Sequence, residues 1–235
     1  FVMNSENNIY RRPPSAGGKA SHLVVFLHGY GADGKDLIDL SNPFSMAMPN
    51  ASFISPDAPS PCAMSASGRE WFPIEEIPKG AINAAENLLN LIEVEAKNLN
   101  LSFKEVILIG FSQGAMMSMQ CLLLNQNEFG AIIGYSGALR DENIQAAGTQ
   151  IINGKHKYSD TPVLLVHGTQ DEVVQKFLDT FMHSYIVGIC KVEDVKVHRF
   201  DRILTVDEWM DKYNPIKNHI DKDTSFGGTS FETYD

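Results

Sequence analysis

Residues 106–118, Val-Ile-Leu-Ile-Gly-Phe-Ser-Gln-Gly-Ala-Met-Met-Ser, decide the fold of this 235-residue chain. An apolar, β-branched run enters a Gly-x-Ser-x-Gly turn and a run of small, helix-forming residues leaves it. The pattern predicts a strand, a sharp turn and a helix, with Ser112 at the apex. Gly110 and Gly114 lack the Cβ atoms that would collide in such a turn. The stretch therefore predicts a nucleophilic serine above a sheet, with the backbone N–H of Gln113 facing a developing oxyanion.

A second, less complete copy of this turn lies at residues 134–138, Gly-Tyr-Ser-Gly-Ala. It also follows an apolar run, but alanine stands where the second glycine would be. We interpret Ser136 as a residue at the end of a strand, and Ser112 as the nucleophile. The alternative for Ser112 is an ordinary tight turn, because Gly-x-Ser-x-Gly also occurs by chance.

The composition indicates a soluble globular chain. Hydrophobic residues make up 43% of it and charged residues 20%, which is typical of globular domains. The formal net charge of −10 argues against binding to nucleic acid and against a standing affinity for anionic membranes. No uninterrupted apolar run approaches the roughly 20 residues that span a bilayer, so we expect no stable membrane insertion.

The cysteines bear on the compartment. Cys62, Cys121 and Cys190 lack the paired spacing of a disulfide framework, and such sparse thiols are typical of reducing compartments. The first residues show no charged-then-apolar signal pattern. We therefore expect a cytoplasmic location.

Strand-like and helix-like patterns alternate along the chain. This order predicts βαβ units and an α/β fold with a mainly parallel sheet and helices on both faces. The predicted strands are 22–27, 51–55, 106–109, 131–135, 163–167 and, more weakly, 191–198; the predicted helices are 35–41, 81–98 and 174–186. We place one domain at 21–205, an N-terminal extension at 1–20 and an atypical polar segment at 206–235. The irregular segment 56–79 has the length of a functional lid or rim.

A glycine-rich stretch follows the first strong strand. Residues 27–34, Leu-His-Gly-Tyr-Gly-Ala-Asp-Gly, allow the backbone to fold back close to a ligand. Hydrolases with a serine elbow take their second oxyanion donor from such a loop, and the backbone N–H of Tyr30 is our candidate. The alternative is a glycine-rich turn that only leads into a helix.

A carboxylate follows a later buried strand. Residues 163–174, Val-Leu-Leu-Val-His-Gly-Thr-Gln-Asp-Glu-Val-Val, place Asp171 just beyond the strand and downstream of Ser112. That is the chain order in which a catalytic triad expects the acid that orients its histidine. Glu172 is the rival for this role, and a solvated loop acid is the alternative. We find no His/Cys cluster that predicts a metal and no glycine fingerprint that predicts a nucleotide, so we expect no cofactor.

Six motifs in a fixed order resemble the phospholipase/carboxylesterase family, which includes bacterial carboxylesterases and acyl-protein thioesterases. They are Leu-His-Gly-Tyr-Gly-Ala-Asp-Gly, Ser-Pro-Asp-Ala-Pro, Gly-Arg-Glu-Trp-Phe, Gly-Phe-Ser-Gln-Gly, Gly-Tyr-Ser-Gly-Ala-Leu and His-Gly-Thr-Gln-Asp-Glu-Val-Val. The resemblance implies an α/β-hydrolase without a large cap domain and without a cofactor. Carried over by position, it implies these roles: Ser112 as nucleophile, Asp171 as acid, Tyr30 and Gln113 in the oxyanion hole, and Trp71 and Phe72 beside the acyl site.

The general base is the part of the family pattern from which this sequence departs. Family members carry a Gly-His pair in a loop after the last strand, and this chain has no such pair. We predict His198, because it ends the weakly alternating run 192–197, where a base loop could begin. The alternatives are His183, within a predicted helix, His219, within the polar tail, and the absence of any base.

The sequence thus predicts a serine hydrolase that cleaves carboxylic esters or acyl thioesters through an acyl-enzyme. Its expected partners are small acyl substrates, with an acylated protein as a further candidate. Apolar residues that would suit an acyl chain are Met64, Trp71, Phe72 and Met116; the alternative for each is plain packing. A lysophospholipase and a catalytically impaired binding protein are the alternative functions. Hydrolases with an aspartate nucleophile are disfavoured, because Ser112 occupies the elbow.

Overall fold

A computed structural model of the chain describes residues 8–63, 65, 67–125, 127–137, 161–168 and 195–200. Within these residues seven strands form one sheet in the order β1-β3-β2-β6-β7-β8-β9. The strands of this sheet are β1 (Ile9–Arg12), β2 (His22–Leu27), β3 (Ala51–Pro56), β6 (Val106–Phe111), β7 (Ala131–Tyr135), β8 (Val163–Gly168) and β9 (Val195–Phe200). β1 runs antiparallel to β3, and every other neighbouring pair is parallel. The predicted fold class is confirmed.

Four helices and a small hairpin complete the described part of the chain. The helices are α1 (Gly34–Ile38), α2 (Ser41–Ala47), α3 (Lys79–Asn98) and α4 (Gln113–Leu124), with short 3₁₀ turns at Ile74–Glu76 and Phe103–Glu105. The hairpin pairs β4 (Ser60–Pro61) with β5 (Arg69–Glu70), within the segment predicted to form a lid or rim.

Several predicted boundaries differ from the observed ones. The helix predicted at 35–41 is two helices, α1 and α2. Pro43 explains the break, because a continuous helix would lose its backbone hydrogen bond at Pro43 and meet a steric clash there, whereas the first turn of α2 tolerates it. The strand predicted at 191–198 is observed as β9, which continues to Phe200. The helix predicted at 174–186 lies outside the described residues.

The N-terminal segment takes part in the sheet. Ile9 lies opposite Pro56 and Arg12 opposite Phe53, so β1 covers the outer edge of β3. The 1–20 segment, predicted as an extension, therefore contributes an edge strand. Asn8 continues this attachment, since its backbone and side-chain N–H groups donate to Oδ2 of the buried Asp57.

The sheet is buried on both faces. Leu23, Val25 and Leu27 of β2 pack into a cluster with α3 and α4, while Val24 and Phe26 pack into a second cluster with α1 and α2. Because successive side chains of a strand point to opposite faces, a strand covered on both faces is apolar throughout. This double burial explains the continuous apolar run of β2, and it fixes the end of that strand beside the end of β6.

Candidate active site

Ser112 occupies a strained turn between β6 and α4. Its backbone has φ 52° and ψ −116°, in the left-handed half of backbone space that non-glycine residues rarely adopt. Hydrogen bonds hold this conformation: the Ser112 N–H donates to the Tyr135 carbonyl at 2.8 Å, and the Ser112 carbonyl accepts from Ala115 and Met116. Strain of this kind persists where the surrounding structure enforces it, and it is common at functional sites.

The two glycines of the motif allow close contact between backbone segments. A Cβ atom on Gly114 would overlap the Leu27 carbonyl and lie 2.7 Å from the His28 carbonyl oxygen. A Cβ atom on Gly110 would overlap the Gly114 carbonyl in the same way. The start of α4 is therefore pressed against the end of β2, where the glycine-rich loop begins.

The glycine-rich loop passes directly beside Ser112. A Cβ atom on Gly29 would lie 3.4 Å from the Ser112 Cβ. Within the described part of the chain, no hydrogen bond uses the backbone N–H of Tyr30 or that of Gln113. Two segments next to the serine thus carry backbone donors with no partner in this part of the protein, as an oxyanion hole requires. The oxyanion role of Tyr30 and Gln113 stays a prediction.

The side chain of Gln113 makes contacts that the sequence analysis missed. It is 3% exposed. Its Oε1 accepts from the backbone N–H of Trp71 at 2.9 Å, and its Nε2 donates to the Phe72 carbonyl at 2.8 Å. The available signal was a glutamine in the first turn of a largely apolar helix, because a buried carboxamide needs partners. The partner segment lies some forty residues earlier, and nothing local to Gln113 identifies it.

His28 is a buried, neutral histidine at the end of β2. Its Nε2 accepts from the Ala58 N–H at 3.0 Å, so the proton lies on Nδ1 and donates to the Gly29 carbonyl at 2.8 Å. Burial lowers the pKa of the imidazole and keeps it uncharged. Its ring also lies 5.3 Å from that of Trp71. With both nitrogens engaged, His28 holds the glycine-rich loop in place.

The β4–β5 hairpin is hydrogen-bonded to the same loop. The Gly31 N–H donates to the Arg69 carbonyl at 3.0 Å, and the Arg69 N–H donates to the Ala32 carbonyl at 2.9 Å. The pKa of the Tyr30 phenol is raised to about 12, chiefly by its hydrogen bond with Cys62 and also by burial and nearby acids. Its hydroxyl is therefore neutral at ordinary pH, and Tyr30 offers the site no ionised side chain.

The predicted acyl-contact residues are placed unequally. Trp71 and Phe72 lie next to Gln113, but each is only 2% exposed, which agrees with the packing alternative. Met116 is partly buried against the core, and Met64 lies outside the described residues. The sequence analysis missed Phe111, which directly precedes Ser112 and is 51% exposed. Phe111 thus offers an apolar surface beside the serine.

The predicted base lies on the other side of β6 from the glycine-rich loop, and the predicted acid lies outside the described residues. Asp171 comes three residues after the end of β8 and lies outside the described residues. Glu172, His183 and His219 also lie outside them. His198 lies within β9 rather than at its end, with its backbone opposite Val166. The cross-strand row through Phe111 continues through Tyr135 and Val166 to His198, three strand intervals away. At about 4.8 Å per interval the two ends of this row are roughly 14 Å apart.

That separation bears on the base. A general base must come within hydrogen-bond distance of the serine hydroxyl. The gap of roughly 14 Å separates the backbones of His198 and of Phe111, the residue before Ser112, and it exceeds what a serine and a histidine side chain span together. The described register of β9 therefore argues against a direct bond between His198 and Ser112. The assignment of His198 stays a prediction.

Three other observations concern metal-binding groups, membrane-spanning helices and cysteines among the described residues. No group of three or more His, Cys, Asp or Glu side chains in this part could hold a metal ion. No helix in the described ranges combines the length and apolar character needed to cross a bilayer. Cys62 and Cys121 are buried and are not joined by a disulfide, and burial raises the pKa of the Cys121 thiol.

Comparisons with known proteins bear on the same residues. The sequence profile described as phospholipase/carboxylesterase matches residues 14–223. Acyl-protein thioesterase 1 of Yarrowia lipolytica is 27% identical over 199 residues, covering 78% of this chain and 85% of that protein. Carboxylesterase SOBER1 of Arabidopsis thaliana is 28% identical over 169 residues, covering 66% of this chain and 71% of its own length.

Solved structures are similar over most of the chain. The crystal structure of esterase PE8 matches with a TM-score of 0.73 at 30% identity, covering 91% of this chain and 99% of that one. The carboxylesterase of Bacillus cereus matches with a TM-score of 0.69 at 17% identity, covering 92% and 96%. The second likeness shows the fold alone.

Proposed function

The chain belongs to the phospholipase/carboxylesterase family, as its six motifs predicted, and we propose that it is a serine hydrolase cleaving carboxylic esters or acyl thioesters. One observation carries the proposal. Ser112 sits in a left-handed strand-to-helix turn, next to the segments that carry the backbone N–H groups of Tyr30 and Gln113, two donors with no partner among the described residues. Such a turn presents a serine hydroxyl, and such donors stabilise the anion that forms when the hydroxyl attacks a carbonyl.

In the proposed reaction the Ser112 Oγ attacks the acyl carbonyl while a histidine accepts its proton. The carbonyl oxygen becomes an oxyanion that accepts hydrogen bonds from the Tyr30 and Gln113 N–H groups. The tetrahedral intermediate collapses, the protonated histidine gives its proton to the departing alcohol or thiol, and an acyl-enzyme remains. Water, deprotonated by the same histidine, then releases the acid and restores Ser112. Asp171 is the proposed partner that orients the imidazole.

The base is proposed from the histidines that follow Asp171. His198 is the residue that the sequence pattern predicts, while the described register of β9 places its backbone far from Ser112. β9 continues to Phe200, and His219 is the one histidine of the sequence that follows this strand. We therefore propose His198 and His219 as competing bases, which single substitutions separate.

The proposed substrates are small acyl esters or thioesters, with acylated proteins as a second class. The names of the relatives, acyl-protein thioesterase and carboxylesterase, support both classes. The exposed ring of Phe111 supports an apolar acyl group, since it is 51% exposed and adjacent to Ser112. Substrate contact by Met64, Trp71, Phe72 or Met116 is part of the same proposal. The sparse cysteines support a reducing, cytoplasmic setting.

A binding protein with impaired catalysis is the second candidate, and one observation favours it. The chain lacks the Gly-His pair expected after the last strand. If no histidine reaches Ser112, only the slow reaction that an oxyanion hole and binding provide would remain. A lysophospholipase is a substrate variant of the main proposal and would share its catalytic residues.

Assays on the whole chain test these proposals. Purified protein is treated with a fluorophosphonate probe, and the labelled peptide is mapped by mass spectrometry. Hydrolysis is measured on short aryl esters, acyl thioesters and a lysophospholipid. We expect labelling at Ser112 and turnover of an ester or thioester. Labelling at another serine would overturn the nucleophile, and the absence of both labelling and turnover would favour the binding protein.

A further inference from the structure

The carboxamide of Gln113 joins the nucleophile turn to a segment from a different part of the chain. Its oxygen accepts from the Trp71 N–H at 2.9 Å and its nitrogen donates to the Phe72 carbonyl at 2.8 Å. The side chain is 3% exposed, so neither bond is readily replaced by water. The carboxamide thus pairs with the backbone at residues 71 and 72 as a peptide group of a neighbouring strand would, accepting one hydrogen bond and donating one.

Trp71 makes a second bond that leads to the glycine-rich loop. Its indole N–H donates to the His28 carbonyl at 2.9 Å. The same carbonyl oxygen would lie 2.7 Å from a Cβ atom on Gly114, so it abuts the start of α4. Trp71 is thus hydrogen-bonded to both segments that carry the proposed oxyanion donors: to α4 through Gln113, and to the glycine-rich loop through His28.

We infer that the Gln113 side chain is a positioning residue that, through Trp71, fixes the spacing between the Tyr30 and Gln113 backbone donors. The inference rests on the proposed function, because it assigns a role within the same oxyanion hole. Donors in such a hole must lie about 2.7–3.1 Å from the future oxyanion, and small displacements are costly in rate. The hydrogen bonds of Trp71 to Gln113 and to His28 hold the two donor-bearing segments together, in addition to the close packing at Gly114.

A positioning role and a merely structural role make different predictions. If the carboxamide is removed, the buried N–H of Trp71 and carbonyl of Phe72 lose their partners and the segment must shift to find others. The bond from the indole to His28 would transmit this shift to the glycine-rich loop. An oxyanion contact is stronger in the transition state than in the ground state, so its loss lowers kcat and leaves KM nearly unchanged. A structural role would lower only the folding stability.

The test compares Gln113→Met with Gln120→Met. Both positions are buried glutamines of α4, at 3% and 1% exposed, so the pair separates the loss of this carboxamide from the loss of any buried carboxamide. Ester hydrolysis, binding of an aryl boronic acid that mimics the tetrahedral state, and hydrogen exchange at the Trp71 amide are measured. For Gln113→Met we expect a kcat about 10- to 100-fold lower, a KM within about threefold, and boronic acid affinity reduced in parallel. Exchange at Trp71 should accelerate, and Gln120→Met should keep the normal kcat.

Gln113→Glu provides a second variant that retains the shape of the side chain. A protonated glutamic acid can accept from Trp71 and donate to Phe72, whereas the carboxylate cannot donate. The ratio of the variant kcat to the wild-type kcat should therefore be highest at low pH and should fall as pH rises. Using the ratio removes the titration of the general base, which affects both proteins alike.

The possible outcomes are distinct. A wild-type chain with neither turnover nor probe labelling would overturn the proposed function and this inference with it. An active wild type accompanied by a fully active Gln113→Met, or by a Gln113→Glu ratio that does not depend on pH, would overturn the inference alone. A loss in kcat that Gln120→Met shares would assign the effect to general destabilisation of α4 and would also overturn it.

Discussion

The two flanks of β6 are built differently. One side, which we call the near flank, consists of β2, the glycine-rich loop and the Trp71–Phe72 segment. These elements contact the Ser112 turn through backbone atoms and one buried carboxamide. On the other side, which we call the far flank, β7, β8 and β9 pair in parallel with β6 and with one another. The predicted acid and base on this flank are side chains within or beyond these strands. Backbone N–H donors can be supplied by any residue once the fold positions them. A catalytic acid or base is a side chain, so it also needs a particular residue type at a particular position. On the far flank the sequence keeps two of the six family motifs and lacks the Gly-His pair, so the general base is where it departs from the family pattern.

Ser112 and Ser136 repeat this contrast on a small scale. Both follow parallel strands with positive φ, 52° and 48°, and both donate their N–H to a carbonyl of the next strand at 2.8 Å. Neither φ nor this hydrogen bond therefore separates the two serines. A helix of 12 residues follows Ser112, which lies against Gly29, and the nearby N–H groups of Tyr30 and Gln113 have no partner among the described residues. The neighbours of the turn, more than its conformation, make a serine a candidate nucleophile.

The largest expected effect is on the rate of ester hydrolysis, and it tests the contrast between the two serines. Ser112→Ala should lower ester hydrolysis by about 10⁴-fold or more, because it removes the group that forms the acyl-enzyme. Ser136→Ala should leave kcat within a few fold. Initial rates and fluorophosphonate labelling of both variants measure the difference. A Ser136→Ala variant that loses labelling while Ser112→Ala keeps it would reverse the assignment.

The second effect decides which histidine serves the far flank. Removal of the true base should lower kcat nearly as much as Ser112→Ala, because members of one catalytic unit do not contribute additively. His198→Ala is the substitution that the sequence pattern singles out, and His219→Ala tests the one histidine of the sequence that follows β9. His183→Ala serves as the third comparison.

The same set of variants also separates an enzyme from a binding protein. Full activity in His198→Ala would remove that residue from the mechanism. If all three histidine variants matched the wild type in rate, no histidine after Asp171 would act as the base. The Ser–His mechanism would then fail on this flank, and the wild-type rate itself should be near background.

The third effect concerns the acid. Asp171→Asn should lower kcat by about 10³- to 10⁴-fold with little change in KM, since it disturbs the histidine tautomer and leaves the pocket in place. Glu172→Gln is the matched control, because it neutralises the adjacent carboxylate in the same way. A large loss in Glu172→Gln with a normal Asp171→Asn would exchange the two roles. Steady-state kinetics on one ester suffices.

The near flank was predictable because its signals are local. The spacing of Gly110, Ser112 and Gly114 encodes a turn that only glycine neighbours permit, and the structure shows that turn. The side-chain role of Gln113 was not predictable, because its partners are two peptide groups some forty residues away. Backbone groups carry no residue identity, so no pattern in the sequence marks them as partners.

The strand edges were harder to predict for a different reason. Ile9–Arg12 alternates too weakly to indicate a strand, and it becomes one because β3 offers an unpaired edge. In β9, Val195 and Val197 indicate a strand, but its end at Phe200 depends on pairing with β8. A shift of a few residues there moves His198 from the end of a strand to its interior. The separation from Ser112 follows from the pairing of His198 with Val166, a contact between distant segments that no local pattern predicts.

A smaller effect tests the backbone contacts of the near flank. Gly114→Ala should lower the free energy of unfolding by about 3 kcal/mol, because its Cβ would overlap the Leu27 carbonyl and a backbone cannot yield cheaply. Gly134→Ala is the control, since its Cβ would meet only side-chain atoms, with Leu165 Cδ2 at 3.2 Å and Ala115 Cβ at 3.4 Å. It should cost about 1 kcal/mol or less. Urea unfolding measures both, and equal losses would contradict the close approach.

The smallest effect is the pH dependence that His28 gives to the near flank. Burial lowers the pKa of its imidazole below the unfolded value of about 6.5, so the unfolded chain binds the proton more readily. Stability should therefore fall as pH drops below about 6.5, by at most about 1.4 kcal/mol per pH unit from this one group. His28→Gln should be less stable at pH 7.5 but should lose less stability on going to pH 5.5. His22→Gln, at the opposite end of β2, is the control for the loss of a different histidine. If the free energy of unfolding changed with pH equally in His28→Gln and in the wild type, His28 would be protonated in the folded protein as readily as in the unfolded chain.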